Sequence, residues 1–294
     1  MLPARTVVLT ALAMVAFAGN SLLCRAALRE TDLDPASFTV MRLASGALML
    51  WLVVRFKSAG RSGGGSWPSA LALFAYAAGF SFAYVSLPAA TGALLLFGAV
   101  QATMIGHGLA SGERFDGVQV IGLVLALGGL VGLLLPGLSA PPIVGSLLML
   151  AAGVAWGIYS LRGRGAGDPT RVTAGNFLRA APIAILVSLA LAGRASFDPA
   201  GAALAVASGA LASGVGYAIW YTALPALKAT QAATVQLSVP VLAALGGILL
   251  LGEPITLRLA LASVAILGGI SLVLVERGRS SEQRLGADVG RRGG

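Results

Sequence analysis

Apolar residues in this chain come in unbroken runs. No charged side chain occurs within residues 63–112, 118–161, 199–227, 229–252 or 259–275. A bilayer core takes roughly 20 apolar residues per helix, so the longest runs are read as helical hairpins. Their centres carry the expected breaks, "SLPAAT" at 86–91 and "PGLSAPP" at 136–142. Cutting at every such break predicts ten spans, near 7–25, 38–56, 68–87, 91–111, 117–135, 143–161, 173–192, 200–223, 230–251 and 257–275. Helices are expected because lipid offers no partner for a free backbone N–H. A membrane barrel would show short strands of alternating polarity instead. The predicted fold class is all-α and integral to a membrane.

The polar punctuation repeats. Residues 112–132 read "GERFDGVQVIGLVLALGGLVG" and residues 252–272 read "GEPITLRLALASVAILGGISL". Each copy has a Gly-Glu pair, a polar bend and an apolar run carrying Gly-Gly. Glu113 and Glu253 each stand sixteen positions before Gly129 and Gly269. The match extends further: "AFAGNSLLCR" (16–25) aligns with "AWGIYSLRGR" (155–164), Asp34-Pro35 with Asp168-Pro169, and "YVSLPA" (84–89) with "YTALPA" (221–226). This sets Arg42 opposite Asn176. The chain reads as two five-span units, 1–139 and 140–277, followed by a basic tail, 278–294, expected to be disordered. With an odd number of spans, the second unit enters the membrane from the opposite side. The ten helices then form two inverted five-helix repeats, an architecture that recurs in transporters with the binding site near the midplane between halves. Two such halves can exchange conformations, which is alternating access. Arg5, the apolar run from Val7 and Ala16-Phe17-Ala18 imitate a cleaved leader. The counterpart of residues 16–25 in the second unit marks this stretch as a retained span.

Composition and charge add a direction. Hydrophobic residues make up 57% of the chain and charged residues 11%, with a mean hydropathy of +0.89, against about 25% charged in a soluble domain. With the N-terminus in the cytoplasm, the inner segments hold fourteen basic residues. The outer ones hold four (Arg25, Arg29, Arg194 and Arg258), and Arg42 and Arg179 fall inside spans. The bias predicts a multi-pass protein of the cell inner (plasma) membrane with both termini cytoplasmic. It explains the net charge of +9 without nucleic acid, for which no span-free basic domain exists. Cys24 is the only cysteine, which excludes an intramolecular disulfide. No metal-ligand cluster or phosphate loop is present, so no metal, cofactor or ATP use is expected. Gly79-Phe80-Ser81 with His107 imitates an intramembrane serine hydrolase dyad, but a Gly-x-Ser triplet is common in so Gly-rich a chain, and no enzyme is expected.

The ten spans and their duplication, Phe17-Ala18-Gly19-Asn20 followed by Arg25, Arg42 early in the second span, and the Gly-Glu pairs closing spans four and nine together resemble the drug/metabolite transporter superfamily, EamA-like branch. The resemblance covers about residues 7–275. It implies a ten-helix secondary transporter, often an exporter of amino acids or other small metabolites. It also implies a central cavity lined mainly by spans one, three, four, six, eight and nine. The chain departs from the family at Phe17-Ala18, where Trp-Gly is usual and Trp156-Gly157 keeps it in the second half. Pro240 in span nine faces Val100 in span four.

Candidate site residues follow from polarity inside the spans. No Asp or Glu lies within a span, so export of drug cations through a buried carboxylate is not expected. Arg42 can pair with a substrate carboxylate or snorkel to the headgroups. His107, near the inner end of span four, can act as a proton relay or hydrogen-bond a neighbouring helix. Asn20, Tyr84, Gln101, Trp156, Tyr159, Asn176, Tyr217, Trp220, Gln236 and Ser238 would suit a mildly polar pathway, and each also has a structural reading in helix packing or interfacial anchoring. Small-residue pairs at Gly128 and Gly132, Gly153 and Gly157, and Ala265 and Gly269 read as close helix contacts. Pro240 is read as a gating kink. Asp116 and Thr256 read as N-caps of spans five and ten. The expected function is secondary transport of small metabolites. The alternative is a lipid-flipping or non-transporting sensor protein on the same scaffold. The expected partners are a small-molecule metabolite and the lipid bilayer, and a monomer is compatible with this architecture.

Overall fold

The computed structural model describes residues 3–56, 64–112, 114–137, 140–163, 166–227 and 229–292, without the side chains of 229–231, 233 and 275–292. Glu113, Arg164 and Lys228 lie outside the described residues. The first half contains α1 (Ala4–Glu30), α2 (Pro35–Phe56), α3 (Trp67–Tyr84), α4 (Ala89–Ala110) and α5 (Gly117–Leu134). The second contains α6 (Ile143–Gly163), α7 (Pro169–Ala190), α8 (Pro199–Ala207), a π-helical stretch Ser208–Val215, α9 (Gly216–Ala223), α10 (Ala229–Gln236), α11 (Ser238–Leu251) and α12 (Leu257–Arg292). Among the described residues, nine segments are long and apolar enough to cross a bilayer. The tenth expected span, α3, is outside that set, because Trp67, Pro68, Tyr76, Tyr84 and two serines dilute its 18 residues.

Four carboxylates and a serine start helices, the expected Asp116 among them. Asp116 and Gln119 form a reciprocal capping box on α5. Asp168 caps α7, Asp198 caps α8 and Ser66 caps α3. Asp34 accepts from the N–H groups of Ala36 and Ser37, both at 2.9 Å, and from Ser196 at 3.1 Å. It thereby joins the start of α2 to the α7–α8 connection. Thr256 accepts from Leu259 N–H at 3.1 Å at the start of α12.

Helix contacts come in matched sets. α3 packs on α6, and its counterpart α8–α9 packs on α1; α4 packs on α6, and its counterpart α11 packs on α1. The pairs α2–α7, α4–α11 and α5–α12 join equivalent helices of the two halves. Glycine permits the α5–α12 contact: a Cβ on Gly122 would lie 2.6 Å from the Gly269 carbonyl oxygen, and one on Gly129 would lie 2.7 Å from Ala265 Cβ. The expected close contacts at Gly153, Gly157, Ala265 and Gly269 are present. Gly128 and Gly132 are different, since a Cβ on either meets nothing within 4 Å. The contact stripe of α5 runs through Gly122 and Gly129, seven residues apart, which is two turns on one face.

Three spans differ from expectation. Span eight is interrupted by the π-helical stretch, where Gly209 lies against the Arg42 carbonyl and Gly214 against Met49 of α2. Span nine breaks at Leu237, between α10 and α11. Pro240 lacks the N–H that would bond the Gln236 carbonyl, so the interruption falls within one turn before the proline read as a kink. α12 continues to Arg292 without a proline, so residues 278–292, expected to be disordered, are helical.

Two measurements test this packing. Gly269→Val is expected to cost about 2 kcal/mol through overpacking against α5. The control Gly268→Val, which meets open space, should leave the detergent melting temperature nearly unchanged. Partial burial alone would raise the Asp34 carboxyl, but hydrogen bonds from Ser37, Ser196 and Ala36 outweigh it and hold the group below its ordinary 3.8. A depressed carboxyl stabilises the fold above the unfolded-chain value, and the contribution is lost as pH falls through the folded value. Asp34→Ala should therefore cost about 1 kcal/mol at neutral pH, with the two melting curves converging under acid.

Candidate functional site

A cavity of about 410 Å³ occupies the half of the bundle nearer the N-terminus. It reaches the N-terminal face at Gly167, Pro169 and Leu224, between the α6–α7 connection and the end of α9. Its wall is aromatic. Trp156 stacks on Tyr217, with ring centroids 5.4 Å apart and planes at 21°, and lies 5.2 Å from Tyr159. Phe17 meets Tyr217 at 5.6 Å and Trp220 at 6.1 Å. Gln101 of α4 and Gln236 of α10 add amides, and Thr173 and Tyr221 add hydroxyls. Among the described residues the lining holds no carboxylate. Such a chamber can hold a small solute by stacking and by neutral hydrogen bonds.

The inner end narrows to a cavity of about 30 Å³, bounded by Asn20, Ser21, Tyr76, Trp156, Ser213 and Tyr217 among others. Here a polar chain joins α1, α2, α3 and the π-helical stretch. Ser208 Oγ donates to Asn20 Oδ1 at 2.7 Å, Asn20 Nδ2 donates to the Tyr76 hydroxyl at 3.3 Å, and Arg42 Nη2 donates to the same hydroxyl at 2.8 Å. Arg42 is 1% exposed. Its guanidinium lies over the rings of Phe80 and Tyr76, at 4.7 and 5.0 Å, while Nε and Nη1 have no hydrogen-bond partner. Burying an arginine without a carboxylate leaves its charge to aromatic faces and whatever anion enters.

Beyond this end, an ion pair closes the bundle. Arg25 Nε donates to Glu253 Oε1 at 2.9 Å, and Arg25 Nη1 donates to the carbonyls of Tyr84 and Val85. The second oxygen of Glu253 accepts from Ala89 N–H at 2.7 Å, the first residue of α4. Glu253 thus serves the N-terminus of α4 and not that of α12, the helix that follows it, because the α11–α12 turn folds back over that end. A separate vestibule of about 470 Å³, containing Arg25, Arg29, Glu30 and Glu253, opens on the face opposite the N-terminus.

Of the residues singled out by sequence, Gln101, Trp156, Tyr159, Tyr217, Trp220 and Gln236 line the main chamber, and Asn20 lines its inner end. Arg42 lies behind Tyr76 and Phe80, buried and not at the headgroups. Asn176 lies behind Tyr159, donating to its hydroxyl at 3.4 Å and accepting from Ser66 N–H at 2.8 Å. Three do not join the site. Tyr84 packs on Gly92 and donates to the Ala89 carbonyl at 3.3 Å. His107 is exposed in the last turn of α4. Ser238 donates to the Val235 carbonyl at 2.7 Å. Sequence reasoning missed Tyr76, Ser213, Thr173, Tyr221 and the Arg25–Glu253 pair. The repeat carried the available signal: Arg25, Glu253 and Tyr221 stand in repeated segments, and Tyr76 and Ser213 stand at equal distances before one.

The sequence pattern of the EamA-like transporter family matches residues 143–275. An uncharacterised protein of Pseudomonas aeruginosa is 60% identical over 95% of this chain and 98% of its own length. An uncharacterised transporter of Archaeoglobus fulgidus is 26% identical over 93% of this chain and 98% of its own. The chain belongs to the EamA-like transporter family. It is a multi-pass membrane transporter of small molecules and not an enzyme. The threonine/homoserine exporter RhtA of Salmonella typhimurium and of Escherichia coli is similar over about half of each chain: 36% identity across 159 residues, 51% of this chain and 52% of the exporter. A solved crystal structure shares the fold with a TM-score of 0.64 and 20% identity, covering 93% of this chain and 98% of its own.

The Arg25–Glu253 pair gives the EamA-like chain a testable closure. Arg25→Met and Glu253→Gln are each expected to cost about 3 kcal/mol, because each strands a buried polar partner, whereas the double variant recovers most of that loss. Thermal unfolding of the four proteins in one detergent measures it. Additive losses would show that the two side chains act independently.

Proposed function

We propose that this EamA-like transporter exports amino acids or related small metabolites by alternating access between the units 1–139 and 140–277. The observation that carries the reading is the chamber, aromatic and mildly polar, reaching one face and sealed toward the other by Arg25–Glu253. A volume of about 410 Å³ suits a small solute. Neutral amides and hydroxyls with an uncompensated Arg42 at the closed end suit a zwitterion, whose carboxylate finds a positive field. The similarity to RhtA over half the chain supports export of that class. The distribution of basic residues supports a cytoplasmic N-terminal face, so that the described state faces the cytoplasm and takes up cargo there.

Counterflow of radiolabelled amino acids, L-threonine and L-homoserine included, into proteoliposomes tests the reading. The expected result is saturable flux that falls about tenfold in Trp156→Ala, since an aromatic anchor is lost from the wall. Lipid scrambling without flux of any small solute would instead favour a flippase on this scaffold.

A further inference from the structure

Two hydroxyl groups at the inner end of the chamber have protons to donate and no acceptor among the described residues. The Tyr76 oxygen already receives two N–H donors, Arg42 Nη2 at 2.8 Å and Asn20 Nδ2 at 3.3 Å. A phenol has one proton to give beyond what it accepts, and among the described residues the Tyr76 hydroxyl donates to none. Ser213 is 1% exposed, and its Oγ has no hydrogen-bond partner. Leaving a buried hydroxyl unmatched costs roughly 1–3 kcal/mol, so a protein that places two around one cavity has a ligand group to offset that cost. Both side chains bound the same 30 Å³ cavity. That cavity shares Phe17, Trp156 and Tyr217 with the main chamber, so one solute can occupy both.

The sequence repeat places the two hydroxyls at matching positions. Tyr76 and Ser213 each stand eight residues before the tyrosine of a Tyr-x-x-Leu-Pro-Ala segment, at Tyr84 and Tyr221. Each half therefore delivers one hydroxyl to the same cavity, between α3 and the π-helical stretch. Behind Tyr76, Arg42 supplies a positive charge that no described carboxylate neutralises. Two O–H donors in a positive field select a group that only accepts, and they repel an ammonium. The small volume admits little more than one such group.

We propose that Tyr76 and Ser213 form the subsite for the substrate's carboxylate, one hydroxyl from each repeat, with Arg42 acting through Tyr76 as a positioning residue. This rests on the amino-acid reading above. The solute's body then lies against the aromatic rings of the main chamber, and its carboxylate points away from the open face.

Binding of L-threonine and of L-threoninol, in which a neutral CH2OH replaces the carboxylate, to the purified chain tests this. The fluorescence of Trp156 and Trp220 reports both ligands. Ser213→Ala and Tyr76→Phe are each expected to weaken L-threonine about tenfold, as for loss of a hydrogen bond to a charged group, and to leave L-threoninol within about twofold. Ser213→Ala removes no hydrogen bond within the protein and so keeps the test valid where Tyr76→Phe loosens Arg42. Equal weakening of both ligands would mark the two side chains as structural and overturn the proposal. Unchanged L-threonine affinity in both variants would overturn it as well. A wild-type chain that binds neither L-threonine nor any amino acid of the transport panel defeats the amino-acid reading itself, and the subsite with it.

Discussion

A bundle embedded in lipid has no solvent to satisfy its polar groups, and the arrangement of this protein follows from that constraint. Many of its helix hydroxyls turn back on their own backbone. Thr39, Ser81, Thr103, Ser146, Ser160, Ser263 and Ser271 each donate to the carbonyl four residues earlier. Such bonds demand nothing of a neighbouring helix. The polar contacts that do cross between helices are concentrated along one path. They include the chain Ser208–Asn20–Tyr76–Arg42, the chain Asn176–Tyr159–Thr173–Tyr221 and the pair Arg25–Glu253. That path runs where helices of the two halves meet, which is where a transporter must both open and close.

The two ends of the path are built differently. At the end away from the N-terminus, one arginine binds a carboxylate and two carbonyls, and the carboxylate also satisfies the N-terminus of α4. Four elements converge there on directional, desolvated bonds. Near the N-terminal face the chamber wall is stacked rings, whose contact energy changes slowly as they slide. Buried ion pairs contribute little net stability and more to selecting one arrangement. Arg25–Glu253 therefore defines which arrangement this is, while the aromatic wall leaves room for solutes of more than one shape.

Much of the fold was legible because a span is specified by the composition and length of an apolar run, without reference to its partners. Ten apolar stretches bounded by Pro, Gly and Asp give ten spans wherever the chain meets lipid, and the Asp34, Asp116 and Asp168 caps lie where the breaks fall. Which side of each helix faces the chamber was less legible. These helices are apolar all round, so periodicity marks no preferred face. Gly128 and Gly129 are adjacent and alike in sequence, yet only Gly129 touches α12. His107 is polar and within a span, yet exposed, while Tyr76, in an apolar stretch of α3, is the point where two helices donate. The partner of Glu253 was illegible for a different reason: a carboxylate at a turn can serve any helix start within reach, and the fold chose the one 164 positions away.

The π-helical stretch of the eighth span gives that helix two phases. Each α-helical residue turns the chain by about 100°, and a π-type widening shifts everything beyond it relative to everything before. Residues of α8 and those of α9 therefore cannot be drawn on one helical wheel. The segment before the widening faces α2, with Ser45 Oγ donating to the Val206 carbonyl, while Tyr217 and Trp220 beyond it face the chamber. A single span thus serves two neighbours that a uniform helix would have to choose between.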